Sequence, residues 1–273
     1  MSQLSSIVSL SQVKSLVKQV GAFQLKHFRS TEAITVEKAM NELVSFVDET
    51  SEQLLFKGLT EIYPDAAFWG EEGGQRGEAD WTWLVDPLDG TTNYLNGLDQ
   101  FSISVALMYK GVTQFGVVYR PANDELFHAF RGEGFYHNGD LVSNDFSKLS
   151  LPSTLMGTGF PYRSPDLHES FFKASADLMT QCRGFRRLAS AALDLCYLSC
   201  GWLQGFWESE LQPYDVGAGL LFLEEAGLKA TNHLGEPFDL LSDRVFVAAP
   251  MEIHEELQII IQRAYGSGDL KYS

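Results

Sequence analysis

The stretch WLVDPLDGTTNYLNG, residues 83–97, decides the reading of this chain. It opens as an apolar strand, Trp83-Leu84-Val85, and then sets Asp86 and Asp89 on either side of Pro87-Leu88. Gly90-Thr91-Thr92-Asn93 follows, and it has the makings of a helix start. Glycine lets a ligand approach the backbone closely, and first-turn amides attract anions. Upstream, Ala66-Ala67-Phe68-Trp69 reads as a short buried strand closed by Gly70-Glu71-Glu72-Gly73-Gly74. If the two strands pair, Glu71, Glu72, Asp86 and Asp89 gather at one sheet edge. Crowded carboxylates raise one another's pKa unless a cation sits among them. The hard, oxygen-liganded choice is Mg²⁺ or Mn²⁺. Carboxylates holding metal beside amides holding phosphate make a metal-dependent phosphatase site. The plainer alternative is a strand–turn–helix whose Asp and Thr only cap. An EF-hand is excluded, because ligand positions 88, 90 and 97 are Leu, Gly and Gly.

The rest of the chain is consistent with a globular protein that has a sizeable core. Of its 273 residues, 45% are hydrophobic and 21% charged. The net charge of −16 is spread along the sequence. It argues against nucleic acid or an anionic membrane as partner, and it means that an anionic substrate needs a local attraction. Cys182, Cys196 and Cys200 suit buried thiols in a reducing cytoplasm better than a disulfide framework or a zinc site. Ile7, Leu10, Val13, Leu16, Val17 and Val20 recur at helical spacing, so the start reads as an amphipathic helix to about Phe28 rather than a signal peptide. No apolar run reaches membrane-spanning length. No G-x-S-x-G, P-loop or Ser-His-Asp set stands out.

Residues 30–45 are expected to be less regular and partly extended, and Glu49 to Ile62 helical. Strands follow at 81–85, 101–109, 112–119, 125–130 and 134–136, in an antiparallel run. Beyond Leu151-Pro152 the pattern alternates helix (171–182, 190–200, 216–226, 253–264) with strand (206–207, 245–248). The expected architecture is α/β (α+β), with lobes at 1–150 and 151–273 and a site between them.

GEEGG (70–74), WLVDPLDGTTNYLNG (83–97) and PYDVGAGLLFLEEAG (213–227) resemble, in order and spacing, the three signatures of the inositol monophosphatase family. Glu42 to Asp48 and Phe185 to Ala192 extend the similarity over most of the chain. The resemblance implies a layered α-β-α-β-α sandwich and hydrolysis of a small phosphate monoester by metal-activated water. It also implies two or three Mg²⁺ ions, lithium sensitivity and a homodimer. Carried over by position, Glu71, Asp86 and the Leu88 carbonyl would hold one metal, and Asp86, Asp89 and Asp215 a second. Gly90, Thr91 and Lys38 would bind phosphate. Asp48 and Thr91 would orient or deprotonate the attacking water, with Glu71 beside them. Ala191 and Glu208 would meet the polyol, with Asp89 and Asp215.

Inositol 1-phosphate is the first expected substrate. Histidinol phosphate, fructose 1,6-bisphosphate and 3′-phosphoadenosine phosphate are the alternatives, although Thr-Thr-Asn-Tyr after Asp-Gly favours the inositol branch. A phosphometabolite-binding homologue without turnover is opposed by the presence of Asp48, Glu71, Asp86, Asp89 and Asp215 together. Asn96, Tyr214, Ala189 and Ser45 depart from the family's usual His, Trp, Gly and Thr, which bears on substrate choice.

Overall fold

The computed structural model describes residues 8–30, 35–39 and 42–272, with only the backbone at 35–39 and 42–45. Helix α1 (Leu10–His27) follows the apolar spacing from Leu10 onward and buries Val13, Val17 and Val20, while Ile7 lies outside the described residues. In the segment expected to be less regular and partly extended, the described residues from 35 onward form β1 (Thr35–Ala39) and β2 (Glu42–Ser45), paired antiparallel, and 31–34, 40 and 41 lie outside the described residues. Helix α2 (Phe46–Ile62) begins earlier than its apolar pattern, so Asp48 lies in its first turn.

Next come β3 (Ala67–Gly70), β4 (Gly74–Arg76), β5 (Trp81–Asp89) and the short α3 (Thr91–Leu95). Strands β6 (Ser102–Tyr109), β7 (Val112–Arg120), β8 (Glu125–Phe130), β9 (Phe135–His137) and β10 (Asp140–Leu141) complete an eight-stranded sheet. Its order is β10-β9-β8-β7-β6-β5-β3-β4, antiparallel except that β3 and β5 run parallel.

The second half runs β11 (Leu155–Thr158), α4 (His168–Met179), β12 (Gly184–Arg186), α5 (Ala191–Ser199), β13 (Gly205–Ser209), α6 (Pro213–Glu225), β14 (Leu228–Asn232), β15 (Val245–Pro250) and α7 (Met251–Tyr265). Its five strands order as β12-β11-β13-β15-β14.

Alternation along the strands builds the layers. In β5, Trp83 and Val85 pack with Val17, Leu55 and Leu59 of α1 and α2, while Leu84 faces Val216 and Phe222 of α6. In β15, Phe246 and Ala248 face α5 and α6, while Val245, Val247 and Ala249 face α4 and α7. A sheet buried on both faces needs strands that are apolar throughout. The result is the α-β-α-β-α sandwich expected from the resemblance. Helix α6 lies in the middle layer, which explains why VGAGLLFL carries little polar surface.

Candidate active site

Two carboxylates three residues apart on a regular strand point to opposite faces. Asp86 and Asp89 do not, because β5 is bulged between them. Asp86 pairs with Ser104 and Asp89 with Ser102, so three steps on β5 oppose two on β6. The extra residue re-aims the strand, and both carboxylates come to rest buried, 3% and 8% exposed, in one pocket. Pro87 is tolerated because bulges spare it a ladder bond. Its carbonyl accepts from Gln24 Nε2 at 2.7 Å.

Glu71 follows β3, and its amide donates to the Val85 carbonyl at 3.2 Å, which sets it beside Asp86. The next amide, of Glu72, donates to Glu52 Oε2 at 2.7 Å. Glu52 is buried in α2 and also accepts from Arg76 Nη2 at 3.2 Å. Glu52 therefore positions the Glu71 turn, and Glu72 is not among the pocket's lining residues. Glu52→Ala is expected to destabilise the fold by about 1–2 kcal/mol, since it leaves a half-buried amide and a half-buried guanidinium without their acceptor. Urea unfolding measures this, and a loss under about 0.5 kcal/mol would remove that role.

The Thr91 hydroxyl lies 3.0 Å from Asp48 Oδ1 and 3.1 Å from the Leu88 carbonyl, so its single proton serves one of them at a time. Asp48 is fully buried. Gly90 precedes α3 in the left-handed region, at φ 92°. Asp89 does more than line the pocket. Its Oδ2 accepts from Ser190 Oγ, the Ala192 amide (3.0 Å) and Ser102 Oγ (3.3 Å), and its Oδ1 from the Ala191 amide (3.2 Å). It thus caps α5 across the two sheets. Asp215, in the first turn of α6, accepts from the Gln212 amide at 2.8 Å.

Glu71, Asp86, Leu88, Asp89, Gly90, Thr91, Ala191, Glu208 and Asp215 all line one cavity of about 500 Å³. Lys38 lies in β1, but its side chain falls outside the described residues. A second hollow of about 480 Å³, near Leu220, Leu228 and Leu240, is lined by two acids, Glu224 and Asp239, of which Glu224 is paired with Arg131.

The acids of the first cavity oppose one another. Burial, then the charges of Asp215 and Glu72, hold Glu71 well above the usual carboxylate range. Burial, then Glu71 and Asp89, does the same to Asp86. Burial raises Asp89 against the pull of its hydrogen bonds. Asp215 is pushed up to about 7 by burial, against the pull of the Gln212 amide. Burial and the Asp215 charge push Glu208 up to about 8. Among the described residues no three His, Cys, Asp or Glu side chains close on one point as a ready-made metal cluster. The acids surround the cavity rather than converge. Their all-oxygen chemistry and mutual repulsion nevertheless fit a hard divalent cation.

The departures from the family pattern lie at different distances from the cavity. Asn96 is exposed and back-bonds to the Thr92 carbonyl. Tyr214 does not line the cavity, and the Ser45 side chain falls outside the described residues. Ala189 does line it, at φ 63°, a conformation that suits glycine. Ala189→Gly is expected to stabilise the protein by about 0.5–1 kcal/mol in urea unfolding.

Residue reading alone did not single out Asn93, Ser190, Glu52, Arg163 or Arg187. Asn93 Nδ2 reaches the carbonyls of Gln100 (2.7 Å), Leu188 (2.8 Å) and Ala189 (3.3 Å) and ties the motif loop to the second half. Glu52 carried a usable signal, a charged residue on the same helix face as Leu55 and Leu59.

This five-layered α+β sandwich matches solved structures of inositol monophosphatases and of a suhB protein. The native extragenic suppressor protein suhB from Bartonella henselae matches with TM-score 0.88 at 30% identity, covering 93% of this chain and 98% of that one. The inositol monophosphatase from Anabaena matches with TM-score 0.83 at 31% identity, covering 96% and 97%. The Nus factor SuhB of Pasteurella multocida is 39% identical over 228 residues, which are 83% of this chain and 85% of that protein. The sequence model of the inositol monophosphatase family matches residues 9–264. The chain belongs to the inositol monophosphatase family.

Proposed function

We propose that this protein is a cytoplasmic, Mg²⁺-dependent phosphatase of small phosphate monoesters, with inositol 1-phosphate as first substrate. The bulge that puts Asp86 and Asp89 on one face beside Glu71 carries the reading. In it, lobe 1–150 supplies Glu71, Asp86, Asp89 and the Leu88 carbonyl as metal ligands, and lobe 151–273 supplies Asp215. Bound Mg²⁺ supplies positive charge to the attacking and leaving oxygens. Gly90 and Thr91 amides, with Lys38, hold the phosphate. Asp48 Oδ1, next to the Thr91 hydroxyl, aligns the attacking water and, with Glu71, takes its proton. Glu208 and Ala191 meet the alcohol.

The test is phosphate release from a panel containing inositol 1-phosphate, histidinol phosphate, fructose 1,6-bisphosphate and 3′-phosphoadenosine phosphate, with and without Mg²⁺. Inositol 1-phosphate is expected to be cleaved fastest, only with Mg²⁺, and less well at millimolar Li⁺. Cleavage of histidinol phosphate alone would sink the inositol assignment. The homodimer that accompanies this reading is checked by light scattering.

The SuhB relatives named Nus factor favour a second, compatible role beside the transcription machinery. The net charge of −16 directs such contacts to protein rather than nucleic acid. Absence of binding to a reconstituted transcription complex at micromolar concentration would remove it.

A further inference from the structure

Glu208 and Asp215 reach the cavity from β13 and α6, and residues 210–212 join the two elements. This short loop is not relaxed. Glu210 stands at φ 67°, in the left-handed region that L side chains rarely adopt. Leu211 is buried and lines the cavity. Gln212 precedes α6, and its backbone grips Asp215 twice. Its amide donates to Asp215 Oδ2 at 2.8 Å, and its carbonyl accepts from the Asp215 amide at 3.0 Å. A backbone held outside its preferred conformation keeps its shape only where the surroundings fix it.

Those surroundings come from segment 266–272, which follows α7 and turns back at Gly266, φ 88°. His233 Nε2 lies 2.8 Å from the Gly268 carbonyl. The Arg244 amide donates to the Leu270 carbonyl (3.1 Å) and the Tyr272 amide to the Ser242 carbonyl (2.8 Å), so the segment pairs antiparallel with 242–244. Lys271 Nζ adds an ion pair to Asp243 Oδ1 at 3.7 Å. Two ties run from this pairing to the loop. Arg244 takes the Glu210 carboxylate with its Nε, and its carbonyl accepts from the Glu210 amide at 2.8 Å. The Tyr272 hydroxyl donates to the Leu211 carbonyl (3.3 Å) and accepts from Gln212 Nε2 (3.4 Å). Gln212 is therefore held by Tyr272 through its side chain and holds Asp215 through its backbone.

We propose that segment 266–272 is a strap that aims Asp215 into the cavity, with Tyr272 as its positioning residue, acting through Gln212. Glu71, Asp86 and Asp89 all come from the first half of the chain, so the distance of Asp215 from them depends on what fixes residues 210–212. A group that orients a ligand from behind sets the affinity for the metal more than the turnover once the metal is bound. The inference rests on the reading of Asp215 as a metal ligand.

The test is Tyr272→Phe, which removes one hydroxyl and keeps the ring. Tyr119→Phe is the control, because it removes a hydroxyl bonded to Asp124 at 3.0 Å, outside the cavity lining. Titration calorimetry with Mg²⁺ alone should show an affinity lower by about tenfold in Tyr272→Phe and unchanged in Tyr119→Phe. At saturating Mg²⁺, kcat of Tyr272→Phe should stay within about twofold of wild type. A Mg²⁺ affinity within about twofold of wild type, or an equal loss in the control, overturns the strap and leaves the phosphatase reading intact. If the wild type binds no Mg²⁺, the metal reading fails, and amide hydrogen exchange in the metal-free protein decides the strap. The Gln212 amide should then exchange about tenfold faster in Tyr272→Phe than in wild type. Equal rates, or the same rise in the control, overturn the strap.

Discussion

Asp86→Asn is expected to lower Mg²⁺-dependent phosphate release by about three orders of magnitude and, in the same protein, to raise the melting temperature of the metal-free form. The two effects share one cause. Asp86 is buried and faces the charges of Glu71, Asp89 and Asp215, so the folded state holds its carboxyl proton more tightly than the unfolded chain does. For an acid shifted in that direction, folded-state stability is greatest below the ordinary aspartate pKa of about 3.9. It declines as the pH rises through the window between that value and the raised one. Asparagine cannot ionise, so it removes the decline. The metal-free variant should melt roughly 2–8 °C above the wild type near pH 8, with the gap closing toward pH 4. Added Mg²⁺ should raise the melting temperature of the wild type far more than that of the variant. Calorimetric scans at several pH values, with and without metal, read this directly. Full Mg²⁺-dependent turnover by the variant would refute the metal assignment.

Gly90→Ala is expected to be the most damaging single methyl group in the motif. The residue sits at φ 92°, outside the range L side chains tolerate. An added Cβ would lie 2.8 Å from the Gln100 carbonyl, 3.1 Å from the Ala189 carbonyl and 3.3 Å from Phe101 Cα. All three are backbone atoms, so no rotamer change can relieve them. Strain and overpacking together should cost about 3–5 kcal/mol, or roughly 6–20 °C of melting temperature. The soluble fraction should lose activity as well, because Gly90 fixes the approach to Thr91. A melting temperature within 2 °C of wild type, roughly 1 kcal/mol or less, would show that the loop yields where the backbone contacts say it cannot.

The sequence was most legible where pattern and burial agree. Helices α1 and α7 and the long strands of the first sheet follow from apolar periodicity and turn residues, while the pairing of β3 with β5 entered only as a condition and is supplied by the structure. Residues 30–45 were read as less regular and partly extended, and the described ones from 35 onward are extended, paired as β1 and β2. Strands β4, β10, β11, β12 and β14 were missed. They are two to five residues long, and in the last three Gly157, Gly184 and Lys229 break the apolar runs that mark a strand. Strand β5 was expected to end at Val85, because Asp-Pro reads as a stop. It continues to Asp89 because a bulge absorbs the proline. Glu71, Asp86 and Asp89 were visible as candidates from local sequence. Asp215 and Glu208 came through resemblance alone, since nothing near them in sequence indicates which cavity they line. Asn93 could not be read at all. Its acceptors belong to Gln100, Leu188 and Ala189, and no spacing rule links those positions.

The bulge in β5 also has a consequence for how this gene can vary. Its ladder counts three residues on one strand against two on the other. Replacing Pro87 or Leu88 leaves that count unchanged, so Asp86 and Asp89 still share a face. Deleting or inserting one codon between them restores or doubles the offset and turns one carboxylate toward the α1–α2 layer. Changes at Pro87, and apolar ones at Leu88, which is buried against Val47, Tyr94 and Phe101, should therefore be survivable, whereas frame-preserving insertions and deletions should not. A library of both kinds across codons 87 and 88, scored for phosphate release, would separate tolerance of chemistry from tolerance of length.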